Sequence, residues 1–336
     1  MNRIRMIHRD TLSCEPILRR MPSGELLCVT QCGGLKEPAP ENRVFAFHSS
    51  DNGETWSKTV SVFPENGEAV YCTEVMVLND EISAFLTVHN GDFLAWHNTV
   101  MRSYDSGYTW EASGPPPFFE KFTFMRGMLR LKNGDMLVPY QHYPIDDKEH
   151  LRLLVEPGNR VRDAEVDYVE SGVIISRDGG KTFTRCEQPV HFDIKDTWAW
   201  SEPTLAELAD GTIAMLLRRD RTGFLWRSES RDGGVSWSEA VKTTIPNPNN
   251  KPKLVPMPDG RIALLHTPNS AKRFPLQVWI SEDGMKTWPY RETVTDFPGS
   301  YDYSDGFYED GHICFTIEHN RQNVLFIDHT INMNLK

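Results

Sequence analysis

Acidic, basic and phenolic side chains occupy one recurring place in this sequence, about eight to ten residues ahead of a series of tight turns. Apolar residues would be expected there if these positions served only to pack a core. Glycoside cleavage uses such groups: an acid protonates the leaving oxygen, and another group meets the oxocarbenium-like centre. That chemistry requires the fold to bring together Glu15, Glu74, Arg126, Glu202, Lys251 or Lys253, and Tyr303 to Asp305.

The tight turns are mostly of the Asp-Gly or Asn-Gly type, which is the strongest short-range signal for a β-hairpin. Each turn separates two short runs that read as strands. The hairpins are predicted at Leu18–Leu27, Leu131–Val138, Leu208–Ala214, Met257–Ala263 and Tyr308–Cys314.

An octet with the pattern Ser-x-Asp-x-Gly-x-Thr-Trp recurs along the chain. Asp and Ser side chains can bond nearby backbone N–H groups and hold a tight reversal, while Gly accepts a positive φ. We therefore expect the aspartates to be structural, each octet to join two antiparallel strands, and the closing aromatic to pack under the turn. The copies begin at Ser49, Ser103, Ser176, Ser230 and Ser281, and in the last copy Met285 replaces the glycine.

The two repeated features together predict an all-β fold, a six-bladed β-propeller that fills residues 1–336 as a single domain. Each unit of roughly 50 residues supplies three or four strands, as a blade requires. The sixth blade has no octet, so we expect Ile4–Ile7 to provide its outer strand and close the ring. The charged stretch 141–170 is interpreted as an insertion in blade 3, overhanging one face.

Composition and charge exclude several classes of protein. The 336 residues are 39% hydrophobic and 11% aromatic, which excludes a disordered chain. Lys and Arg number 36 against 47 Asp and Glu, a net charge of −11, which argues against nucleic-acid or anionic-membrane partners. No apolar run approaches the roughly 20 residues that span a bilayer.

Cysteine usage and the amino terminus bear on location. The six cysteines form no C-x-x-C pair, and no histidine spacing typical of zinc binding occurs, so we expect no metal and no cofactor. The first eight residues lack the apolar segment of a signal peptide, which favours a cytoplasmic protein, with a trimmed leader as the alternative. The oligomeric state is left open.

The sequence resembles the sialidase superfamily, whose six-bladed propellers carry these octets, known as Asp boxes. The segments around blades 4 to 6 carry the more specific similarity. The run from Trp200 to Arg218 resembles the segment with a catalytic glutamate and a carboxylate-binding arginine. By position, the resemblance implies catalytic Glu202, carboxylate-binding Arg218 and Arg273, nucleophile Tyr303, and Glu318 bracing an arginine.

Two features depart from the sialidase pattern. The family has Arg-x-Pro near the start of blade 1, whereas this chain has Cys14-Glu15-Pro16. Arg19 or Arg20 could replace the missing arginine only in a shifted register. The usual acid/base aspartate also has no clear match, and the loop offers Glu37 and Glu41 instead, of which we take Glu37 as the candidate catalytic acid.

The resemblance implies a division of labour that the physics of the substrate explains. The anomeric carbon of a sialic acid bears a carboxylate, which would repel a carboxylate nucleophile, so a phenol assisted by a glutamate attacks instead. Arginines bind the sugar carboxylate with a planar fork. Further candidate substrate-binding residues, from their place at the strand starts, are Arg126, Glu74 and Asp305.

Structural roles remain open for each of these residues. Arg218 could belong to a solvated surface pair, Glu202 could begin a strand, Tyr303 could be a packed aromatic, and Trp198 and Trp200 could pack a core or stack on sugars. Three functions are therefore carried forward: a sialidase-like exo-glycoside hydrolase acting on a terminal acidic sugar, another glycan-active hydrolase or lyase, and a non-catalytic glycan-binding propeller. All three have an oligosaccharide or glycoconjugate as partner.

Overall fold

The computed structural model describes residues 2–91, 96–114, 118–144, 154–156, 160–162, 168–194 and 199–331. The described part of the chain contains strands, turns and loops and no helix, so none of it forms a helix that could cross a membrane. Six small antiparallel sheets stand in a ring and form a six-bladed β-propeller. The predicted fold class is confirmed.

Alternating apolar runs form the strands, and the turns described above separate them. The first strand, β1 (Arg3–Arg9), precedes blade 1 in the chain. Blade 1 contains β2 (Ser13–Arg20), β3 (Leu26–Cys32), β4 (Arg43–Ser49) and β5 (Val60–Ser61). Blade 2 contains β6 (Ala69–Leu78), β7 (Glu81–His89), β8 (His97–Ser103) and β9 (Glu111–Ser113).

Blade 3 is the irregular one. It contains β10 (Thr123–Met125), β11 (Leu129–Arg130), β12 (Met136–His142), β15 (Tyr168–Ser176), β16 (Thr184–Arg185) and β17 (Val190–Asp193). Between β12 and β15, the strands β13 (Leu154–Glu156) and β14 (Arg160–Arg162) pair with each other. This small hairpin falls within the predicted insertion at 141–170, most of which lies outside the described residues.

The remaining blades are four-stranded. Blade 4 contains β18 (Pro203–Glu207), β19 (Ile213–Leu217), β20 (Phe224–Ser230) and β21 (Val241–Pro246). Blade 5 contains β22 (Lys253–Pro256), β23 (Ile262–His266), β24 (Gln277–Ser281) and β25 (Tyr290–Thr293). Blade 6 contains β26 (Tyr301–Glu309), β27 (His312–His319) and β28 (Asn323–Thr330), and β1 pairs with β28 as its outer strand. The expected closure of the ring by the amino-terminal strand is confirmed.

The inner strands line the axis of the ring. Strand β2 contacts both β6 and β26, β6 contacts β10, β12 contacts β18, and β22 contacts both β18 and β26. Apolar clusters fill the spaces between neighbouring sheets, for example Val29 of blade 1 with Ala84 of blade 2. Because the sheets present their apolar faces to one another, the strand ends at the axis are free to carry polar side chains.

The octets form the turns between the third and fourth strands. In the copy that starts at Ser230, the serine Oγ accepts a hydrogen bond from the Gly234 amide at 2.9 Å and donates to Asp232 Oδ1 at 2.8 Å. Asp232 Oδ1 also accepts from the Ser236 amide at 3.0 Å, and Trp237 Nε1 donates to the Gly234 carbonyl at 3.1 Å. These aspartates hold turns, as the sequence predicted.

A glycine is needed in this octet for two reasons. Gly234 has a φ of 91°, and a Cβ there would lie 2.6 Å from Leu137 Cδ2. In the last copy Met285 occupies the same place with a φ of 65° and still donates its amide to Ser281 Oγ at 2.8 Å. The buried Met285 side chain packs in the apolar cluster between blades 4 and 5, which offsets the strain of its backbone.

Candidate active site

The candidate site lies where the inner strands begin. Glu202 immediately precedes β18, Arg126 follows β10, Glu15 lies in β2 and Tyr303 lies in β26. These four residues come from four different blades, and their side chains are in contact or within ion-pair distance, as described below. The structure therefore brings these four of the predicted residues together.

Irregular pairing turns two of these side chains toward the centre. Glu15 has a φ of 49° where the register of β2 against β3 shifts, and Tyr303 has a φ of 53° where β26 shifts against β27. A left-handed backbone costs a residue other than glycine roughly 1–2 kcal/mol, so the surrounding ladders must hold it in place. Such bulges re-aim side chains and are common beside active sites.

Tyr303, Glu202 and Arg218 form the centre of the site. The Tyr303 hydroxyl donates a hydrogen bond to Glu202 Oε1 at 2.9 Å, and Arg218 Nη1 donates to Glu202 Oε2 at 2.9 Å. Arg218 Nη1 also lies 3.3 Å from the Tyr303 hydroxyl oxygen. Glu202 and Arg218 are buried and Tyr303 is half-buried, so Arg218 is not in a solvated surface pair and Glu202 does more than begin a strand.

Two further acids and one arginine complete this group, which we call the Tyr303 cluster (Tyr303, Glu202, Arg218, Arg126, Glu15 and Asp220). Arg126 Nη1 donates to Glu15 Oε2 at 2.9 Å, and its Nη2 lies 3.6 Å from Glu202 Oε1. Asp220 accepts from Arg218 twice, from Nε at 2.6 Å and from Nη2 at 3.2 Å. This fork fixes the plane of the Arg218 guanidinium.

The cluster holds Glu202 ionised and Tyr303 protonated. Burial opposes ionisation of Glu202, but the positive charges of Arg218 and Arg126 outweigh it and lower its pKa to about 2. Burial raises the pKa of Tyr303 well above its ordinary value, and the negative charge of Glu202 adds to this effect. In the unliganded site the proton therefore belongs to the phenol.

Arg273 lies near the Tyr303 cluster, where it contacts Asp302, the residue before Tyr303. Its Nη1 donates to Asp302 Oδ1 at 2.7 Å and its Nη2 to the Asn249 carbonyl at 2.5 Å. Asp302 is buried and also accepts from Ser300 Oγ at 2.8 Å. The side chain of Arg273 is 26% exposed, so it can meet a ligand.

Glu37 and Glu318 are joined by an arginine that the sequence reasoning missed. Arg321 Nη2 donates to Glu37 Oε2 at 2.5 Å, and its Nε lies 3.4 Å from Glu318 Oε1. Arg321 and Asn320 both have a positive φ, 55° and 56°, in the tight turn between β27 and β28. Glycine is the usual residue in the second position of such a turn, and an arginine there was the signal that could have identified it.

We call this group the Arg321 cluster (Arg321, Glu37 and Glu318). Its two carboxyl groups are shielded from solvent. Burial raises the pKa of Glu318 to about 8, although the charge of Arg321 opposes this shift. Burial likewise raises the pKa of Glu37. Cys14, at the position where the sialidase pattern has an arginine, is buried, and its Sγ lies 3.7 Å from Glu37 Oε2. Glu41 is exposed.

Glu74 and Asp305 belong to a separate group on the axis, the Asp305 cluster (Asp305, Glu74, Arg19 and Lys253). Arg19 donates to both carboxylates, and Lys253 Nζ donates to Asp305 Oδ1 at 2.7 Å. Arg19 is therefore engaged away from Tyr303, and Arg20 donates to Glu309, so neither takes the place of the missing arginine beside Tyr303.

The tryptophans near the site and the possibility of a metal site can also be examined in the structure. Trp200 packs edge-to-face on Phe124 and Tyr143 in the large apolar cluster, which favours the packing role, while Trp198 lies outside the described residues. In the part of the chain that the structure describes, no group of three or more His, Cys, Asp or Glu side chains could hold a metal ion.

A family model matches most of the chain. The model of the BNR repeat-like domain matches residues 24–313, which include Glu202, Arg218, Arg273 and Tyr303. The chain belongs to the BNR repeat-like domain family. Glu15 and Arg321 of this BNR repeat-like protein lie outside the matched residues.

Solved structures with the same fold include sialidases. A Hadza microbial sialidase aligns with a TM-score of 0.76 at 18% identity, covering 97% of this chain and 68% of the sialidase. NanB sialidase from Streptococcus pneumoniae aligns with a TM-score of 0.68 at 15% identity, covering 97% of this chain and 70% of that one. At these identities the likeness shows a shared fold.

A protein of unknown function from Dyadobacter fermentans is similar over its whole length. It aligns with a TM-score of 0.75 at 18% identity, covering 98% of this chain and 99% of that one. A search of curated proteins returned no match to this BNR repeat-like sequence.

Proposed function

We propose that this protein is a sialidase-like exo-glycoside hydrolase that removes a terminal acidic sugar, with Tyr303 as nucleophile. The observation that carries the proposal is the buried contact among Tyr303, Glu202 and Arg218, in which a phenol, its proton acceptor and a cation meet within 3.3 Å. A structural tyrosine would not require an ionised, buried glutamate on its hydroxyl.

The first chemical step forms a bond between the Tyr303 oxygen and the anomeric carbon as the glycosidic carbon–oxygen bond breaks. The phenol proton passes to Glu202 during bond formation, because the phenol becomes more acidic as its oxygen donates electrons to the sugar. With a pKa of about 2, Glu202 is a weak base in the free site. A substrate carboxylate bound near Arg218 shares that positive charge, which makes Glu202 more basic.

The leaving group needs a proton, and Glu37 is the candidate donor. Its raised pKa favours the protonated form that an acid requires, and its Oε2 lies 3.7 Å from the Cys14 thiol in the inner strand β2. In the second step a water molecule attacks the tyrosyl-linked sugar, Glu37 takes the proton of that water, and Glu202 returns its proton to Tyr303.

Arginines select the substrate in this proposal. Arg218 and Arg273 flank Tyr303 and are braced by Asp220 and Asp302, so their guanidinium groups are held in fixed orientations. A braced, planar guanidinium binds a carboxylate with two parallel hydrogen bonds. A terminal sugar that carries a carboxylate next to its anomeric carbon satisfies both arginines.

A second candidate follows from the residue at position 14. Sialidases have an arginine there, whereas Cys14 is buried and uncharged, with burial raising its pKa far above the ordinary value. A site with two arginines near Tyr303 would also suit a hydrolase of another acidic sugar, or a lyase in which Tyr303 removes a proton. An unsaturated product distinguishes the lyase.

The experiment is a hydrolysis screen with fluorogenic sialosides, other fluorogenic glycosides and a glycan panel. Wild-type protein should release free sugar, and Tyr303→Phe should abolish the release while leaving the fold intact. The matched control is Tyr104→Phe, which makes the same change on an exposed side chain. Binding to glycans without turnover by the wild-type protein would overturn the proposal in favour of a non-catalytic propeller.

A further inference from the structure

Lys251 is a buried cation beside the Tyr303 ring. It lies two residues before β22, only 8% of its surface is exposed, and its Nζ lies 5.5 Å from the centroid of the Tyr303 ring. An ammonium within about 6 Å of an aromatic centroid is attracted by the electron-rich face of the ring. The phenol thus has a positive charge next to its ring as well as beside its hydroxyl.

The neighbouring residue holds Lys251 in this position. Asn250 Oδ1 accepts a hydrogen bond from the Tyr303 amide at 3.3 Å, and Asn250 Nδ2 donates to the Tyr301 carbonyl at 2.8 Å. Asn250 therefore links strand β26 to the segment that leads into β22, one residue before Lys251. This connection fixes the backbone next to Lys251 relative to Tyr303.

Lys251 differs from the other cations of the site in having no carboxylate of its own. Lys253, two residues later, donates to Asp305 at 2.7 Å, whereas no described acidic group lies within ion-pair distance of Lys251. Burial lowers the pKa of Lys251, with the charge of Asp305 opposing this effect. Burying an ammonium without a direct ion pair is costly, so its position calls for a compensating role.

We propose that Lys251 is a positioning residue that stabilises the phenolate form of Tyr303, and so assists attack by the phenol oxygen. The negative charge that develops on Tyr303 during attack spreads into the ring, where the ammonium meets it. Because no described carboxylate lies within ion-pair distance of Lys251, its positive charge is less neutralised than that of Lys253, which pairs with Asp305. This assignment extends the proposed function, since it assumes that Tyr303 reacts.

The other charges around Tyr303 act in both directions. Glu202 and Glu15 oppose a phenolate, Arg218 and Arg273 favour it, and Arg126 is largely neutralised by Glu15 and Glu202. Asp305 is neutralised by Arg19 and Lys253. Removal of Lys251 therefore leaves the two glutamates less balanced, and the phenolate becomes harder to form.

The test measures the phenol directly. Tyr303 is replaced by 3,5-difluorotyrosine, whose more acidic phenol titrates in a pH range where proteins stay folded, and the phenolate absorbance is followed against pH. With Lys251→Met the titration should move to higher pH, and with Lys251→Arg it should stay close to that of the parent protein. A matched control is Lys253→Met, which removes an equal charge that is already neutralised by Asp305 and should move the titration less.

Two results would overturn the inference: an unchanged titration in Lys251→Met, or an equal shift in Lys253→Met. If Lys251→Met does not fold, Lys251→Gln is read in the same way. On a cleaved substrate, Lys251→Met should lower kcat by roughly tenfold with a smaller change in KM. A shifted titration in a protein that cleaves no glycoside would support Lys251 and refute the proposed function, so the two failures are distinguishable.

Discussion

The hydroxyl of Tyr303 donates to Glu202, 101 positions away in the sequence, at 2.9 Å. The two residues belong to blades 6 and 4, and blade 5 stands between them in the chain. Their contact depends on the ring of sheets rather than on any local element. Arg218 touches both residues, so a change in any of the three alters the charge that the other two experience.

Glu202→Gln should abolish most of the turnover. The amide can still accept a hydrogen bond from Tyr303, but it cannot take the phenol proton, so the rate should fall by roughly a hundred- to ten-thousandfold. Steady-state kinetics on the substrate found in the screen measures this loss. Glu207→Gln, at the far end of β18, should retain full activity, and equal losses in the two variants would contradict the assigned role.

Asp220→Asn should weaken substrate binding more than it slows the chemical step. Asp220 accepts from both Nε and Nη2 of Arg218, and its loss frees the guanidinium to rotate away from the orientation that binds a carboxylate. We expect KM for an acidic substrate to rise by roughly tenfold. The control is Asp210→Asn in the exposed turn before β19, and a fall in kcat at unchanged KM would argue against this reading.

Glu318 should make the folded protein less stable as the pH rises. Burial raises its pKa in the folded protein from 4.5 to about 8, so between these values the folded state keeps a proton that the unfolded state has lost. Its contribution to stability is complete below about pH 4.5 and is lost as the pH passes about 8. Glu318→Gln stays neutral, so its melting temperature relative to wild type should increase across this range. A difference that does not vary with pH would contradict the shift.

Ser230→Ala should destabilise blade 4 without affecting the site. The Ser230 hydroxyl satisfies the Gly234 amide and orients Asp232 at the turn, so its loss should lower the free energy of unfolding by about 1–2 kcal/mol. Urea denaturation measures this loss, with exposed Ser23→Ala as the control. A loss of activity at full stability would show that the octet has a role beyond the turn.

The sequence predicts the blades well because their turns are local. Each octet satisfies its own backbone groups within a few residues, as Ser230 and Asp232 do, so its pattern can be read without knowledge of the rest of the fold. The pairing of Glu202 with Arg218 is nearly as local. Pro203 pairs with Leu217 in the hairpin of β18 and β19, which places the two residues opposite each other just beyond it.

Other parts of the site depend on distant chain segments and could not be read in this way. Arg321 meets Glu37 across 284 residues, and only the closed ring brings their loops together. The missing ion pair of Lys251 is also a property of the assembled site, because neighbouring Lys253 has the same residue type and a different partner. Sequence spacing locates such residues but does not assign their contacts.

Strand β1 pairs with β28 along the outer edge of blade 6, so a strand synthesised before the other blades must wait for one synthesised after them. Until β28 is synthesised, β1 lacks its partner strand. Circular permutation that keeps β1 and β28 in one continuous hairpin would remove this delay, and new termini in an exposed octet turn would leave the axial residues in place.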